Sequence, residues 1–324
     1  MTYFHTDDGD PGTRPSPRCG GAARLGASLA TATSTVNRRR AALRKADESQ
    51  HNLLRPPGGI IPRASLRDDT GARTVGALRL EGKRKVVDLL KRGAADLGIQ
   101  LSPGQIRCFQ LYYETLADWN QRVNLTTVIE PEEVQARHFV DSLTVAQVIP
   151  SAMLAGGRFA DVGSGGGFPG VPLKIAFRAI SIALIEATAK KAAFLLHLKG
   201  VLSLLDVEVL AERVETLARQ PHLRDGFDCV FVRAVAGMST LAELTLPLCR
   251  TGGIVVAQKS LGVEEELRAS EKAIEKLGGG VKDVREVAVA GILSPRVLVV
   301  LEKRQPTPER YPRRPGIPSK RPLR

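Results

Sequence analysis

"FADVGSGGGFPGVPLKIAF", residues 159–177, sets five glycines and two prolines directly behind a short apolar run that carries an aspartate. Glycine lets a backbone turn through left-handed conformations and approach a ligand closely. The run ahead of the glycines reads as a strand and the apolar positions behind them suit a helix, so the stretch predicts a strand-to-helix turn. In an open α/β sheet that is where ligands bind, because the helix N-terminus offers unpaired N–H groups. Whether such a sheet surrounds it is decided by the rest of the chain.

From Arg158 onward, β-rich runs recur at "RFADV", "SIALIE", "VEVL", "FDCVFVRAV" and "GGIVVAQK", separated by helix-length segments such as "AKKAAFLLHLKGVLSLL" and "STLAELTLPLCR". That rhythm predicts an α/β fold with a Rossmann-like domain over residues 151–304, its sheet mostly parallel and covered by helices on both faces. "VKDVREVAV" and "RVLVVLEKR" have no helix between them and predict an antiparallel C-terminal hairpin. The glycine stretch is then the first strand-to-helix turn of the sheet.

Ahead of the sheet, residues 75–150 predict an N-terminal helical cap. "LEGKRKVVDLLKRGAADLG" spaces Val86, Leu89, Leu90 and Leu97 on one helical face, and Gly98 suits its stop. "LSPGQ" offers Ser102 as N-cap, Pro103 at the first helical position and Gln105 to complete a capping box. Behind it Ile106, Phe109, Tyr113 and Leu116 fall at helical spacing and predict a buried stripe. "EPEEVQARHFVDSLTVAQVI" starts a further helix with Pro131 and two glutamates in its first turn.

The net charge of +13 sits mostly outside these regions: residues 1–74 hold 12 basic against 7 acidic side chains, and residues 305–324 hold 6 against 1. Both segments are rich in Pro, Gly, Ser, Thr and Arg and poor in periodic apolar positions. They predict a disordered basic N-terminal extension at 1–74 and a disordered basic C-terminal tail at 305–324. Two readings of that charge stay open, electrostatic contact with nucleic acid or solvated extensions without a partner. The four cysteines, Cys19, Cys108, Cys229 and Cys249, form no CxxC pair, so neither a zinc site nor a disulfide framework is suggested and no metal is expected. No apolar stretch approaches the roughly 18 residues that span a bilayer and the N-terminus lacks a secretory core, which points to a cytoplasmic protein without a membrane partner.

Two registers compete within the glycine turn. Gly165, Gly167 and Gly170 satisfy the dinucleotide pattern GxGxxG, whereas Asp161 followed by Gly163, Gly165 and Gly167 gives the D-x-G-x-G-x-G pattern of S-adenosylmethionine-dependent methyltransferases. "RFADV" ends just before Gly163, which favours the second. Glu186 closes the next strand, close to the roughly 20-residue spacing at which a carboxylate accepts hydrogen bonds from ribose hydroxyls. The same carboxylate repels a 2'-phosphate, which disfavours NADP, and no GK[ST] follows the glycines to make a phosphate loop.

"DVGSGGGFPGVPLKI", "LIEATAKKAAFL", "ERVETL" and "VFVRAVA", in that order and with the upstream "LADWNQRVNLT" and "ARHFVDSL", resemble the ribosomal RNA small-subunit methyltransferase G family, also called GidB, over about residues 80–304. The resemblance implies a class I methyltransferase that uses S-adenosylmethionine to methylate guanine N7 in the decoding-region loop of 16S rRNA, free or in a small-subunit assembly form. It places cofactor contacts on Gly163, Gly165, Gly167 and Phe168, on Glu186, Ala187 and Thr188, on Val214 and Glu215 beside the adenine, and on Arg233. Other classes stay open, namely a nicotinamide-dependent oxidoreductase and a non-catalytic ribosome-associated RNA-binding protein.

Guanine N7 carries a free in-plane lone pair near neutral pH, so its methylation needs no general base and can rest on alignment. Candidate residues beyond the turn are therefore few. His138 and Asp141, one helical turn apart, suit orientation of the cap, contact with RNA, or a local pair that fixes helix packing. Arg233 and Lys259 stand near the C-terminal ends of the fourth and fifth strands, where open sheets place ligands. Arg233 is the first choice for holding substrate or cofactor, while Lys259 suits an RNA phosphate or plain solvation equally. His197, among leucines, reads as a packing histidine.

Overall fold

The computed structural model describes residues 87–233 and 236–324. The expected N-terminal extension at 1–74 lies outside the described residues. Helix α1 (87–96) ends at Gly98, which takes φ 75° where a side chain would be strained. Helix α2 (Pro103–Asn120) opens with the expected box: the Gln105 N–H donates to Ser102 Oγ at 3.3 Å, and the Ser102 N–H donates to Gln105 Oε1 at 2.8 Å. Its buried stripe is Phe109, Tyr112 and Leu116. Tyr113, expected in that stripe, is instead half-buried with its hydroxyl on Ile129 O. Positions three and four beyond Phe109 are equally eligible by spacing, and contact with the glycine turn selects Tyr112.

A helical segment α3 (131–148) follows, passing from α (Pro131–Val134) through a wider π stretch (Gln135–Val140) and a short α turn (Asp141–Leu143) to a tight 3-10 end (Thr144–Val148). Helix α4 (Ser151–Leu154) leads to β1 (Arg158–Val162). The chain then runs α5 (Gly170–Ala176), β2 (Ser181–Ile185), α6 (Ala189–Val201), β3 (Val207–Leu210), α7 (Val214–Leu217), β4 (Phe227–Arg233), α8 (Met238–Thr245), β5 (Cys249–Lys259), α9 (Glu264–Lys276), β6 (Gly279–Val287), β7 (Arg296–Lys303) and α10 (Ile317–Lys320). Strand β5 starts at Cys249, earlier than the Gly-Gly start read from the sequence, because α8 ends at Thr245 and the chain re-enters the sheet at once.

The strands form one seven-stranded sheet in the order β3-β2-β1-β4-β5-β7-β6. The first five are parallel, and β7 inserts antiparallel between β5 and β6. This is the expected Rossmann-like sheet, mostly parallel with an antiparallel C-terminal hairpin. Period-2 alternation splits the core into two layers. Phe159, Ile182, Leu184 and Phe231 face α1, α2, α3 and α6 on one side. Ala160, Ala183, Val230 and Val255 face α7, α8 and α9 on the other. The order reverses between β1 and β4, and the turn after β1 opens at that switch point.

The expectation of a disordered tail at 305–324 is corrected by the structure. Tyr311 joins the second core layer and Thr307 is buried. Arg313 grips the fully buried Glu243 from both guanidinium edges, Nε to Oε1 at 2.9 Å and Nη2 to Oε2 at 2.6 Å, and its own N–H adds a bond at 2.8 Å. Arg224 donates to the carbonyls of Tyr311 and Thr307 at 2.8 and 2.7 Å. The buried Lys303 ammonium donates to Thr307 Oγ1. The segment is ordered by arginine forks, backbone acceptors and stiff prolines, none of which leaves an apolar periodicity to read.

Removing Arg313 leaves Glu243 buried without its partner, and breaking a buried pair from one side costs about 3 to 5 kcal/mol. Arg313→Ala should therefore lower the unfolding free energy by about 3 kcal/mol, since Arg313 itself is partly solvated. Arg314→Ala, one residue on and exposed, should shift it by under about 0.5 kcal/mol. Urea titrations of the two variants against the wild-type chain check the contrast.

Candidate active site

Gly163, Gly165 and Gly167 take φ of 74°, 55° and 94°, so all three occupy the left-handed region that side chains avoid. Gly163 directly follows β1, as the D-x-G-x-G-x-G register requires, whereas Gly170 opens α5 without a positive φ. The glycines serve different ends. A Cβ on Gly165 would meet nothing nearer than Gly163 O at 3.8 Å, so this position faces open space. One on Gly167 would meet Tyr112 Oη at 2.7 Å and Val171 at 2.9 Å, so that glycine lets the turn pack onto the cap. Gly170 sits as tightly against Asp161 and Leu184, allowing α5 to lie close on the sheet.

Two carboxylates shape the turn. Asp161 is fully buried at the end of β1, and its Oδ2 accepts the Gly170 N–H at 2.9 Å while Oδ1 has no protein partner. Burial pushes its pKa up to about 7, against the opposing pull of the Gly170 N–H and the Arg233 charge. Glu186, at the end of β2, bridges the glycine turn to the next loop: Oε2 accepts the Gly165 N–H at 3.0 Å and Oε1 the Thr188 N–H at 2.7 Å. Each oxygen keeps a lone pair for a further donor. Gly163, Ala187 and Thr188 are exposed beside it.

Over this turn the cap lays a stack of rings. The Phe168 ring lies between His138, at 4.4 Å and 20°, and Tyr112, at 5.3 Å and 14°. The Tyr112 hydroxyl donates to Gly166 O, and burial raises its pKa well above the ordinary phenol value. Arg233, at the end of β4, lies over the Phe168 ring at 5.4 Å. Its Nη1 meets Asp141 Oδ2 at 3.0 Å and its Nη2 meets His138 Nδ1 at 3.1 Å. Arg296 holds the other oxygen of Asp141 at 3.0 Å, and Gln258 donates to Asp141 O at 2.8 Å.

His138 Nδ1 lies 3.1 Å from Arg233 Nη2 and 3.1 Å from the Arg137 carbonyl oxygen, and Nε2 faces Thr126 Oγ1 at 2.8 Å. Burial, reinforced by the Arg233 charge, lowers its pKa to about 4. His138 and Asp141 therefore do not form the local pair considered from the sequence; both hold Arg233 and bind the cap to the sheet. The π stretch of α3 carries His138, and such stretches recur at functional sites.

Other sequence candidates are engaged elsewhere in the fold. Val214 packs into the second core layer, and Glu215, expected beside an adenine, uses its carboxylate to accept the Gly316 N–H at 2.9 Å. Its side chain holds the C-terminal segment, a role invisible while that segment read as disordered. Lys259 is tied to Glu266 Oε1 at 2.8 Å and Ala236 O at 3.0 Å, so it is not a solvated strand-end lysine. His197, read from the sequence as a packing histidine, is instead exposed, with its ring tilted against Trp119 at 5.2 Å. Sequence reasoning missed Tyr112 and Arg296: the first was hidden by its neighbour Tyr113, and the second by its place in the late hairpin, far from any motif.

The family model GidB, rRNA small subunit methyltransferase G, matches residues 105–291. The Ribosomal RNA small subunit methyltransferase G of Dehalococcoides mccartyi (strain CBDB1) is 46% identical over 231 residues, covering 71% of this chain and 97% of its own length. That of Bacillus subtilis (strain 168) is 39% identical over 231 residues, 71% of this chain and 96% of its own. Among solved structures, a variant of the 16S rRNA (adenine(1408)-N(1))-methyltransferase from Catenulisporales acidiphilia aligns with TM-score 0.39 and 15% identity, over 48% of this chain and 90% of that one.

The His138 environment fixes a sign for pH dependence. Its folded pKa of about 4 lies below the free value of 6.5, so the unfolded chain takes up a proton first as pH falls. The stability His138 contributes is full above pH 6.5 and is lost on the way down to about 4, by about 3 kcal/mol in all. Asp161 works oppositely: its raised pKa makes its contribution full below its free value of 3.8 and lost as pH rises to about 7. Between pH 4 and 6.5 the two act in opposite directions. His138→Gln should unmask a loss of stability between pH 4 and 6.5 as pH rises, read from urea midpoints across that range.

Proposed function

We propose that this chain, which belongs to the rRNA small subunit methyltransferase G family, transfers a methyl group from S-adenosylmethionine to N7 of a guanosine in the decoding-region loop of 16S rRNA, free or within a small-subunit assembly form. The observation that carries the reading is the turn itself, where Gly165 opens on free space one hydrogen bond from the Glu186 carboxylate. A ribose diol needs a pair of acceptors beside a backbone with no side chain in the way, and these residues fit it. Gly163, Gly165, Glu186, Ala187 and Thr188 would hold the cofactor, with Gly167 and Phe168 packing the turn against the cap. Val214 and Glu215 contribute by position, at the end of the β3 crossover, rather than by free side chains.

S-adenosylmethionine, when bound, supplies a methyl group made electrophilic by its sulfonium. The chain's own residues supply alignment. Asp161 ties the end of β1 to Gly170, Glu186 holds the middle of the glycine turn, and the rings of Tyr112, Phe168 and His138 pack the turn against the cap. The titratable groups at the turn are enclosed or engaged: Asp161 and Tyr112 are fully buried, His138 is enclosed against the Arg233 guanidinium, and Glu186 accepts two N–H bonds. Guanine N7 asks for none, since its lone pair is already free. Near-attack positioning alone is worth roughly 7 to 11 kcal/mol. Arg233 acts as a positioning residue that joins cap and sheet.

A nicotinamide-dependent oxidoreductase is set aside by the family, and by a turn that begins at Gly163 rather than at Gly165. A protein that only binds RNA would leave the Gly165 space and the Glu186 acceptors without a use.

Glu186→Gln should weaken S-adenosylmethionine binding by roughly 1.5 to 3 kcal/mol, the range for hydrogen bonds to a charged group, and an unchanged calorimetric affinity would remove Glu186 from the ribose. The acceptor atom is tested with 7-deazaguanosine, which replaces N7 by C–H and keeps the Watson–Crick edge. Placed at the target of a methylation-competent small subunit, it should abolish transfer while RNA and cofactor still bind. Methylation of that nucleotide at the normal rate would assign another acceptor.

A further inference from the structure

The C-terminal segment is both clasped and charged, and the two properties lie on different side chains. Arg313 points inward onto Glu243, and Tyr311, Thr307 and Pro318 are buried. Arg314, Lys320, Arg321 and Arg324 are exposed, and among the described residues none of them pairs with a carboxylate. Arg310 is exposed over the Tyr311 ring at 5.1 Å. Glu309 is the one acid in residues 305–324.

Two hydrogen bonds locate the segment. Gly316 N donates to Glu215 Oε1 at 2.9 Å, and Thr240 Oγ1 donates to Pro318 O at 3.1 Å. Glu215 lies in the first turn of α7, which follows the C-terminal end of β3, and Thr240 lies in the first turn of α8, which follows the C-terminal end of β4. Both helices start at the sheet edge that carries the glycine turn. The chain from Gly316 on is thus fastened along the rim of the site, on the sheet face opposite the cap, and Leu323 returns its end to the core.

We propose that residues 314–324 form an RNA-docking ledge, in which Arg314, Lys320, Arg321 and Arg324 contact phosphates of the substrate RNA beside the glycine turn. A flexible basic arm would lose much of its freedom on gripping RNA, whereas here the ordering is already achieved by Glu243, Glu215 and Thr240, so the cations meet the polyanion preorganised. The inference rests on the rRNA substrate proposed above.

The test uses the full chain with Arg314, Lys320, Arg321 and Arg324 all changed to Gln, and a 16S rRNA transcript as probe. Affinity is measured over a series of salt concentrations. Every phosphate that the variant no longer neutralises should flatten the log–log salt dependence by about 0.7 to 1, so a total change of about 3 and at least a tenfold drop in affinity near 0.1 M salt are expected. S-adenosylmethionine affinity and the thermal midpoint should stay at wild-type values, because these side chains hold nothing inside the fold. Arg314→Lys, Arg321→Lys and Arg324→Lys together should keep most of the slope. Equal slopes for the wild-type and Gln variants overturn the ledge while leaving rRNA methylation intact. A flattened slope in a chain that binds RNA but methylates none supports the ledge and sinks the proposed reaction.

Discussion

Everything at the active site depends on the bond between the buried Asp161 carboxylate and the Gly170 N–H. It ties the end of β1 to the first residue of α5 and forces residues 162–169 to fold back within that span. Only alternating left-handed glycines close such a path, and Gly163, Gly165 and Gly167 take those conformations. Glu186 then fastens the middle of the loop to the end of the adjacent strand. A rigid cradle results, with its open side at Gly165.

The cap is bound to this cradle by a small polar assembly rather than by apolar contact alone. Asp141 is nearly enclosed but stands between two guanidiniums, which offset the desolvation that raises its pKa. Arg233 carries that anchor across to His138 and the Phe168 ring. A half-buried cation, a neutral imidazole and the stacked rings thus constrain one another. Removing any member disturbs the orientation of the rest, and so of the turn beneath.

The same logic holds the far end of the chain. The carboxylates of Glu243 and Glu215 lie on the α7–α8 side of the sheet and capture Arg313 and the Gly316 amide. Exposed arginines from the same segment are left for other partners. Polar capture of this kind makes a proline- and arginine-rich stretch part of the fold with little apolar burial.

The architecture and the place of the site were legible in the amino-acid order. Strand period, helix caps and the spacing from Asp161 through the glycines to Glu186 are local properties, set by steric limits on φ and by which backbone groups need partners, and they are read without knowing what packs on what. The two core layers follow from strand alternation alone. Whatever depends on a distant neighbour was settled by packing. Packing chose Tyr112 over Tyr113 because the glycine turn lies beside one and not the other. Of the roles open to His138 and Asp141 it made them joint holders of Arg233 rather than a local pair, and it brought Arg296 from the late hairpin and gave Glu215 to the C-terminal segment. That segment read as disordered because apolar periodicity is the signal a sequence offers for burial, whereas its order comes from ion pairs and carbonyl acceptors whose partners lie 70 or more residues away.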